Sequence, residues 1–301
     1  SKRAYVAGTA SAGGNLIATD LLADNFIEAL RNRTVVGELG ATYLPGLVGN
    51  VAIPRRSGDN TAYWIAGDNG DTITESTGTV DQVTMSPKTV AAYTKFSHLM
   101  KLQATPEIEQ IIRNGFVAII ANAIDAAALN GSGSSNQPTG ILNVSGIGSV
   151  AGGTNGAAAD LDDFIDLKKE VSVDNADLSS CAYVTNAKVE AAIHKLKDSN
   201  GDYILSPYGA EVGSQQILSR KMEVTNNIPS NLSKGSGSNL SAILYGNFSD
   251  LYIGLFSELE ILVDPYTDFA KGTTGLRAIQ SLDINVAHPQ SFAAMKDAIA
   301  A

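Results

Sequence analysis

The segment from Thr105 to Leu129 constrains this chain more than any other. Ile108, Ile111, Ile112, Phe116, Ile119, Ile120 and Ile124 recur at helical spacing. Thr105 can cap, Pro106 suits the first helical position, and Glu107 and Glu109 sit at the positive end of the dipole. The pattern predicts one long helix of about 24 residues, about 36 Å at the standard rise. It runs directly into a glycine-rich stretch containing Gly131, Gly133 and Gly140.

Such a stretch either cradles a phosphate or stops the helix. A phosphate loop needs a strand before it and a helix after it, so that backbone N–H groups point at the anion. Here the helix comes first. Residues 131–140 contain no lysine, and Asn136 stands where a dinucleotide pattern needs its third glycine. A nucleotide-dependent enzyme using loop 131–140 is therefore the remote reading, and a helix stop followed by a turn is the favoured one.

Charge and composition narrow the function classes. The chain has 301 residues, with 21 Lys and Arg against 31 Asp and Glu, a net charge of −10. No basic run exceeds Arg55-Arg56 or Lys168-Lys169, so the clustered cations that bind nucleic acid by counterion release are missing. Hydrophobic residues reach 44% and charged residues only 17%, which points to surface reserved for contacts. The single cysteine, Cys181, excludes an internal disulfide, so stability must come from packing or assembly. No run of 18 uninterrupted apolar residues suggests a membrane span, and the amino end does not read as a signal peptide. Beginning at Ser1, the chain is expected to carry a processed or trimmed terminus.

The remaining pattern is mixed α+β. Residues 1–15 read as an extended arm, and Thr19 to Arg33 as a short amphipathic helix. Val51 to Ile53, Tyr63 to Ile65, Thr79 to Met85 and Thr89 to Phe96 read as strands of a long hairpin with a polar, acidic tip. A projecting hairpin is marginal alone and implies support from another subunit. Helices are expected at Asp160 to Val173 and Asn186 to Lys197. Strands are expected at Cys181 to Thr185, Ala242 to Tyr245, Leu251 to Phe256, Leu259 to Val263 and Leu276 to Ala287. A terminal helix is expected over Phe292 to Ala300, and Ser233 to Ser241 reads as a surface loop.

Few residues suggest chemistry. His98, His194 and His288 fall in different elements without metal-ligand spacing, so neither a metal nor a cofactor is expected. Cys181 reads as a buried small hydrophobe rather than a nucleophile. Asp125 is a capping or interface acid. Asp68, Asp71 and Glu75 at the hairpin tip lack EF-hand spacing and suit an intersubunit ion pair or a solvated tip.

The stretch "DAAALNGSGSSNQPTGIL", Asp125 to Leu142, resembles a hallmark of tailed-bacteriophage major capsid proteins of the HK97-like fold: a spine helix, an acid, a Gly-x-Gly turn, then Gln137, Pro138, Gly140, Ile141 and Leu142 in order. "GGNLIATDLLADNFIEAL" (Gly13 to Leu30), residues 64–100 and "ILYGNFSDLYIG" (Ile243 to Gly254) are similar to its arm and first helix, extended loop and axial strands. Asp283, Val286, Pro289 and Phe292 fit the closing pattern, although Gln280-Ser281 stand near where an arginine is often found.

The resemblance implies an arm with a short helix (1–36), a peripheral segment (37–48) and an extended loop (49–92). Peripheral residues 93–150 would follow with the spine helix 105–129, then an axial α+β domain (151–265) and a peripheral return with a C-terminal helix (266–301). It also implies a non-enzymatic shell subunit in hexamers and pentamers of an icosahedral virion, assembled in the host bacterial cytoplasm and enclosing double-stranded DNA without specific binding. Portal, scaffolding, maturation protease and decoration proteins are the implied partners. Arg55, Arg56, Trp64, Asp68, Asp71, Glu75 and Lys88 would be the loop's intersubunit contacts, and Pro106, Glu107, Asp125, Gly131, Gly133, Gln137, Pro138 and Gly140 would build the helix and its turn. Lys88 and Asn285 are the weak candidates for the covalent cross-link that some members form; no glutamate follows Asn285. The alternative of the same fold is an encapsulin compartment.

Overall fold

The computed structural model describes residues 29–64, 74–103, 108–204 and 216–300. The long helix is present as α2 (Ile108–Asn130), preceded by the short α1 (His98–Gln103). It lies on a five-stranded sheet of β1 (Thr42–Leu44), β4 (Lys88–Ser97), β12 (Leu251–Leu255), β13 (Glu260–Asp264) and β14 (Thr273–Val286). The hub is β14, which pairs antiparallel with β4 along one side, from Thr273↔Ser97 to Leu282↔Lys88, and with β13 and then β12 along the other. Alternation along β4 explains the layer: Val90, Ala92 and Phe96 pack toward the helix with Phe116, Ile120, Leu276 and Ala278, while Ala91, Tyr93 and Lys95 face away. Burying a side chain such as Phe116 or Ile120 contributes about 1.5–3 kcal/mol. By length and composition α2 could cross a membrane; here its apolar stripe is seated on this sheet.

A second sheet of eight strands comprises β5 (Gly148–Val150), β6 (Ala157–Ala158), β7 (Cys181–Thr185), β8 (Gln216–Ile217), β9 (Arg220–Val224), β10 (Leu232–Lys234), β11 (Gly237–Asn247) and β15 (Phe292–Ile299). Helices α3 (Leu161–Val173) and α4 (Ala187–His194) start where sequence dictates: Asp160 and Asp163 form a reciprocal capping box, and the Asn186 side chain accepts the Lys188 and Val189 N–H groups. Phe164, Leu167, Val171, Val189 and Ile193 cover one face, against Tyr183, Tyr245 and Met295. The opposite face, through Val184, Leu244 and Phe292, joins Leu129, Ile141, Leu142, Ile253 and Ile284 in a core shared with the first sheet. Cys181 lies in that double-sided layer, and burial pushes its thiol pKa up. Its thiolate fraction is correspondingly small. Dithionitrobenzoate should leave the folded chain unlabelled and titrate one thiol once it is unfolded; rapid labelling of the folded chain would contradict the packing.

Several expectations are corrected. The terminal segment is strand β15, not a helix. It pairs antiparallel with β11, Phe292↔Gly246 to Ala298↔Ser241, and its alternate residues enter different cores, Ala293 and Met295 one and Phe292 and Ala294 the other. A strand buried on both faces loses period-two alternation, and its alanines mimic a helix signal. Ser233 to Ser241 is not a loop but part of the β10–β11 hairpin, turned at Gly235 with φ +58°. Tyr63 and Trp64 are not in a strand, and residues 29–33 are not helical. Strands β12 and β13, expected in the inserted α+β unit, pair with β14 instead, and residues 88–92 of the expected loop belong to β4. The arm, residues 19–28 of its helix, Asp68, Asp71, Thr105, Pro106 and Glu107 lie outside the described residues.

Candidate assembly surface

The hairpin is a two-stranded ribbon of β2 (Val51–Gly58) and β3 (Thr79–Met85), paired from Val51↔Met85 to Gly58↔Thr79 and joined to neither larger sheet. Its base is anchored. Val83 and Met85 are buried, and the Arg55 guanidinium donates to the Ala287 carbonyl at 2.8 Å and to Asp81 at 2.8 Å. That contact holds the Asp81 carboxyl below the usual carboxylate range. Farther out, Arg56 pairs with Asp59 at 2.9 Å on the exposed surface, a pair of small worth. Val80 is exposed, Glu75 is exposed, and Trp64 is fully exposed at 103%. Two strands with unpaired edges and a naked tryptophan do not stabilise themselves.

The turn after α2 shows what its glycines do. The Gly131 N–H donates to the Ala127 carbonyl, the Gly133 N–H to Pro138 and the Gly140 N–H to Gly131, at 2.8, 3.1 and 2.9 Å. Every one of these donors is consumed internally, so they offer no anion cradle. Residues 132–139 form a small hairpin closed by Ser135 and Asn136 at φ 54° and 63°. Gln137 stitches it: its Oε1 accepts the Ser132 N–H at 3.1 Å and the Ser132 hydroxyl at 2.9 Å. This hairpin, the C-terminal part of α2 and the start of β4 enclose a cleft lined by Lys88, Val90, Ile124, Gln137, Pro138 and Leu282.

Asp125 is buried and acts as a clasp. Its Oδ1 accepts the Val35 and Val36 N–H groups, both at 2.8 Å, and its Oδ2 accepts the Asn227 amide at 2.8 Å. Beside it the Arg33 guanidinium meets buried Glu223 at 2.9 Å and exposed Glu38 at 2.6 Å, and the Thr225 hydroxyl donates to the Arg33 carbonyl at 2.7 Å. Residues 32–36 are thus locked to both α2 and the loop after β9. Sequence reading singled out Asp125 but missed Arg33, Glu223 and Asn227, because nothing local marks partners about a hundred residues or more apart.

Lys88 and Asn285 are both engaged within the chain. The Lys88 ammonium meets buried Asp283 at 2.6 Å, Asp283 also accepts the Ser86 N–H at 2.9 Å, and the Asn285 amide donates to the Thr84 carbonyl at 2.9 Å. Together they fasten the return of the ribbon to β14. Removing the ammonium strands a buried carboxylate, although Lys88 is partly exposed and water can replace it in part. Lys88→Met should therefore lower stability by about 2 kcal/mol, read from the urea midpoint; an unchanged midpoint would show the pair to be idle. Among the described residues no group of three His, Cys, Asp or Glu side chains is placed to hold a metal ion.

Comparison with known proteins gives this geometry a context. The phage capsid family matches residues 13–297. The chain is 27% identical over 292 residues to the major capsid protein of Halomonas phage phiHAP-1, covering 97% of this chain and 45% of that protein. It is 26% identical over 300 residues to the major capsid protein of Klebsiella oxytoca phage phiKO2, covering 94% and 68% respectively. In structure it is similar to the capsid of a native GTA particle, with TM-score 0.81 and 20% identity over 98% of this chain and 100% of that one. It is also similar to a chain of Gordonia phage Cozz, with TM-score 0.74 and 15% identity over 95% and 93%. The fold is the α+β, HK97-like capsid fold. With a family match across residues 13–297, nearly its whole length, the chain belongs to the phage capsid family.

Proposed function

We propose that this chain is the structural subunit of an icosahedral phage head, assembled through hexamers and pentamers and enclosing double-stranded DNA. The observation that carries the reading is the β2–β3 ribbon: anchored at its base by Arg55 and Met85, unpaired along its edges and ending near a fully exposed Trp64. A neighbour lying beneath it completes a structure that is marginal alone. Many weak contacts per subunit are then multiplied by closed symmetry.

The net charge of −10 suits a wall that confines DNA without gripping it. Assembly in the host bacterial cytoplasm, with portal, scaffolding, protease and decoration proteins as partners, belongs to the same reading. So does division into an arm, an extended loop, a peripheral layer around α2 and an axial layer around β11. No catalytic step or cofactor is part of it. Because the Lys88 and Asn285 side chains already have partners in the chain, subunits are held without covalent bonds, and boiled particles should run as a single monomer band in denaturing gels; a ladder of multimers would contradict this.

Replacing residues 57–79 by a two-residue Asn-Gly turn, which keeps the Arg56↔Val80 register, tests the role of the ribbon. Assembly should be abolished while the thermal midpoint of the dissociated subunit shifts by only a few degrees. Shells of normal size from the shortened chain would refute it.

A further inference from the structure

Asparagine followed by glycine is the pair most prone to lose its side-chain amide, because glycine leaves the next backbone nitrogen unshielded and the chain free to turn. The described residues hold four such pairs, Asn114-Gly115, Asn130-Gly131, Asn155-Gly156 and Asn200-Gly201; a fifth, Asn69-Gly70, lies outside them. The fold treats the four unequally. Asn114 and Asn130 belong to α2, where the next N–H points along the axis, away from the asparagine's own side chain. Their Oδ1 atoms accept the Gln110 amide at 2.9 Å and the Asn143 amide at 3.3 Å. Asn155 Oδ1 accepts the Ser236 N–H at 3.0 Å, and Gly156 is hemmed in: a methyl group there would stand 2.4 Å from the Asp297 carbonyl oxygen. Asn200 differs on each count. It sits in the exposed turn closed by the Lys197↔Tyr203 bridge, and its side-chain amide has no hydrogen bond among the described residues. A methyl group on Gly201 would meet nothing beyond its chain neighbours within 4 Å. The Gly201 N–H donates to the Asp198 carbonyl at 3.1 Å, an exposed turn bond that opens at little cost.

We infer that Asn200 is a site of spontaneous deamidation selected by the fold, with water as the co-reactant. The Gly201 nitrogen gives its proton to hydroxide and attacks Cγ of Asn200. The new C–N bond closes a five-membered imide as the Cγ–Nδ2 bond breaks, and the amide nitrogen takes a proton from water and leaves as ammonia. Water then opens the imide at either carbonyl, leaving an aspartyl or isoaspartyl residue at position 200. Either product adds a negative charge between Asp198 and Asp202. The isoaspartyl form also lengthens the main chain by one carbon, inside a turn that the Asp198 carboxylate holds by accepting the Asn200 and Asp202 N–H groups at 2.8 and 3.0 Å. Conversion therefore loosens the turn.

The test is to age the full chain in mildly alkaline buffer and follow each asparagine by site-resolved mass spectrometry. Acid at position 200 should accumulate about tenfold or more faster than at Asn114, Asn130 and Asn155, and in urea the four rates should converge. Trypsin should cut after Lys197 sooner in the aged chain than in the fresh one. Ageing should leave that rate unchanged in Asn200→Gln, which keeps an amide but cannot close the five-membered ring. An intact Asn200 amide in the folded chain while the urea-unfolded chain converts, or equal rates at all four sites in the folded chain, would overturn the inference. A preference for Asn200 that persists in urea would overturn it too, since it would belong to the neighbouring residues in sequence and not to the turn.

Discussion

Gly140→Ala should destabilise the subunit by about 3 kcal/mol or more, the upper end of what overpacking costs. A methyl group there would stand 2.6 Å from the Ala127 carbonyl oxygen and 2.7 Å from the Asn130 nitrogen, and closer still to the Gly131 nitrogen. All three are backbone atoms. No side chain can swing aside, so relief requires opening the last turn of α2, which carries buried Ala127, Ala128 and Leu129 into the shared core. Gly131→Ala meets the same wall, with the Ala127 oxygen at 2.5 Å and the Pro138 oxygen nearer. Ser135→Gly is the opposite case. Its φ of 54° strains a side-chain-bearing residue, so glycine should be neutral or stabilising by up to about 1 kcal/mol. Urea midpoints of the three variants check the order, and a Gly140→Ala midpoint equal to that of the unmodified chain would refute the close-packed turn.

Asp125→Ala should cost about 3–5 kcal/mol, because it orphans two backbone N–H groups and an amide in a buried site. Against a total of about 5–15 kcal/mol for a typical domain, that is a large share. The damage should also be local. With residues 32–36 released from α2, trypsin should cut after Arg33 well before the rest of the chain opens. Asp125→Asn is the informative partner: one oxygen can still accept from Val35 and Val36, but its new N–H2 confronts the Asn227 amide. That amide cannot simply turn over, since its Oδ1 already accepts from Asn32 at 2.8 Å. A loss intermediate between the unmodified chain and Asp125→Ala is expected. Equal tryptic rates in all three chains would show that the clasp holds nothing.

These two sites also mark how far the residues alone can be read. The helix was legible because its isoleucines repeat at helical spacing, and its stop because Gly131, Gly133 and Gly140 follow directly. Gln137 and Pro138 point to a specific turn, whose close backbone approaches account for Gly131 and Gly140. The partners of Asp125 were not legible, since Val35, Val36 and Asn227 reach it across 90, 89 and 102 residues. Strand β15 was misread for a physical reason. Buried between two cores, it needs small residues on both faces, and a run such as Phe292-Ala293-Ala294-Met295 carries helix propensity that only pairing with β11 overrides. The β-branched runs mark the ribbon β2–β3, while the pairing of β12 and β13 with β14 has no local signal, since it joins residues up to 35 positions apart.

Electron microscopy of the purified full chain, alongside its mass distribution in solution, tests the central claim most directly. Closed shells of uniform size, or rings of five and six subunits, are the predicted result. A monodisperse monomer at every concentration and salt, with no ring or shell on the grid, would contradict the assignment of the ribbon to contacts between subunits.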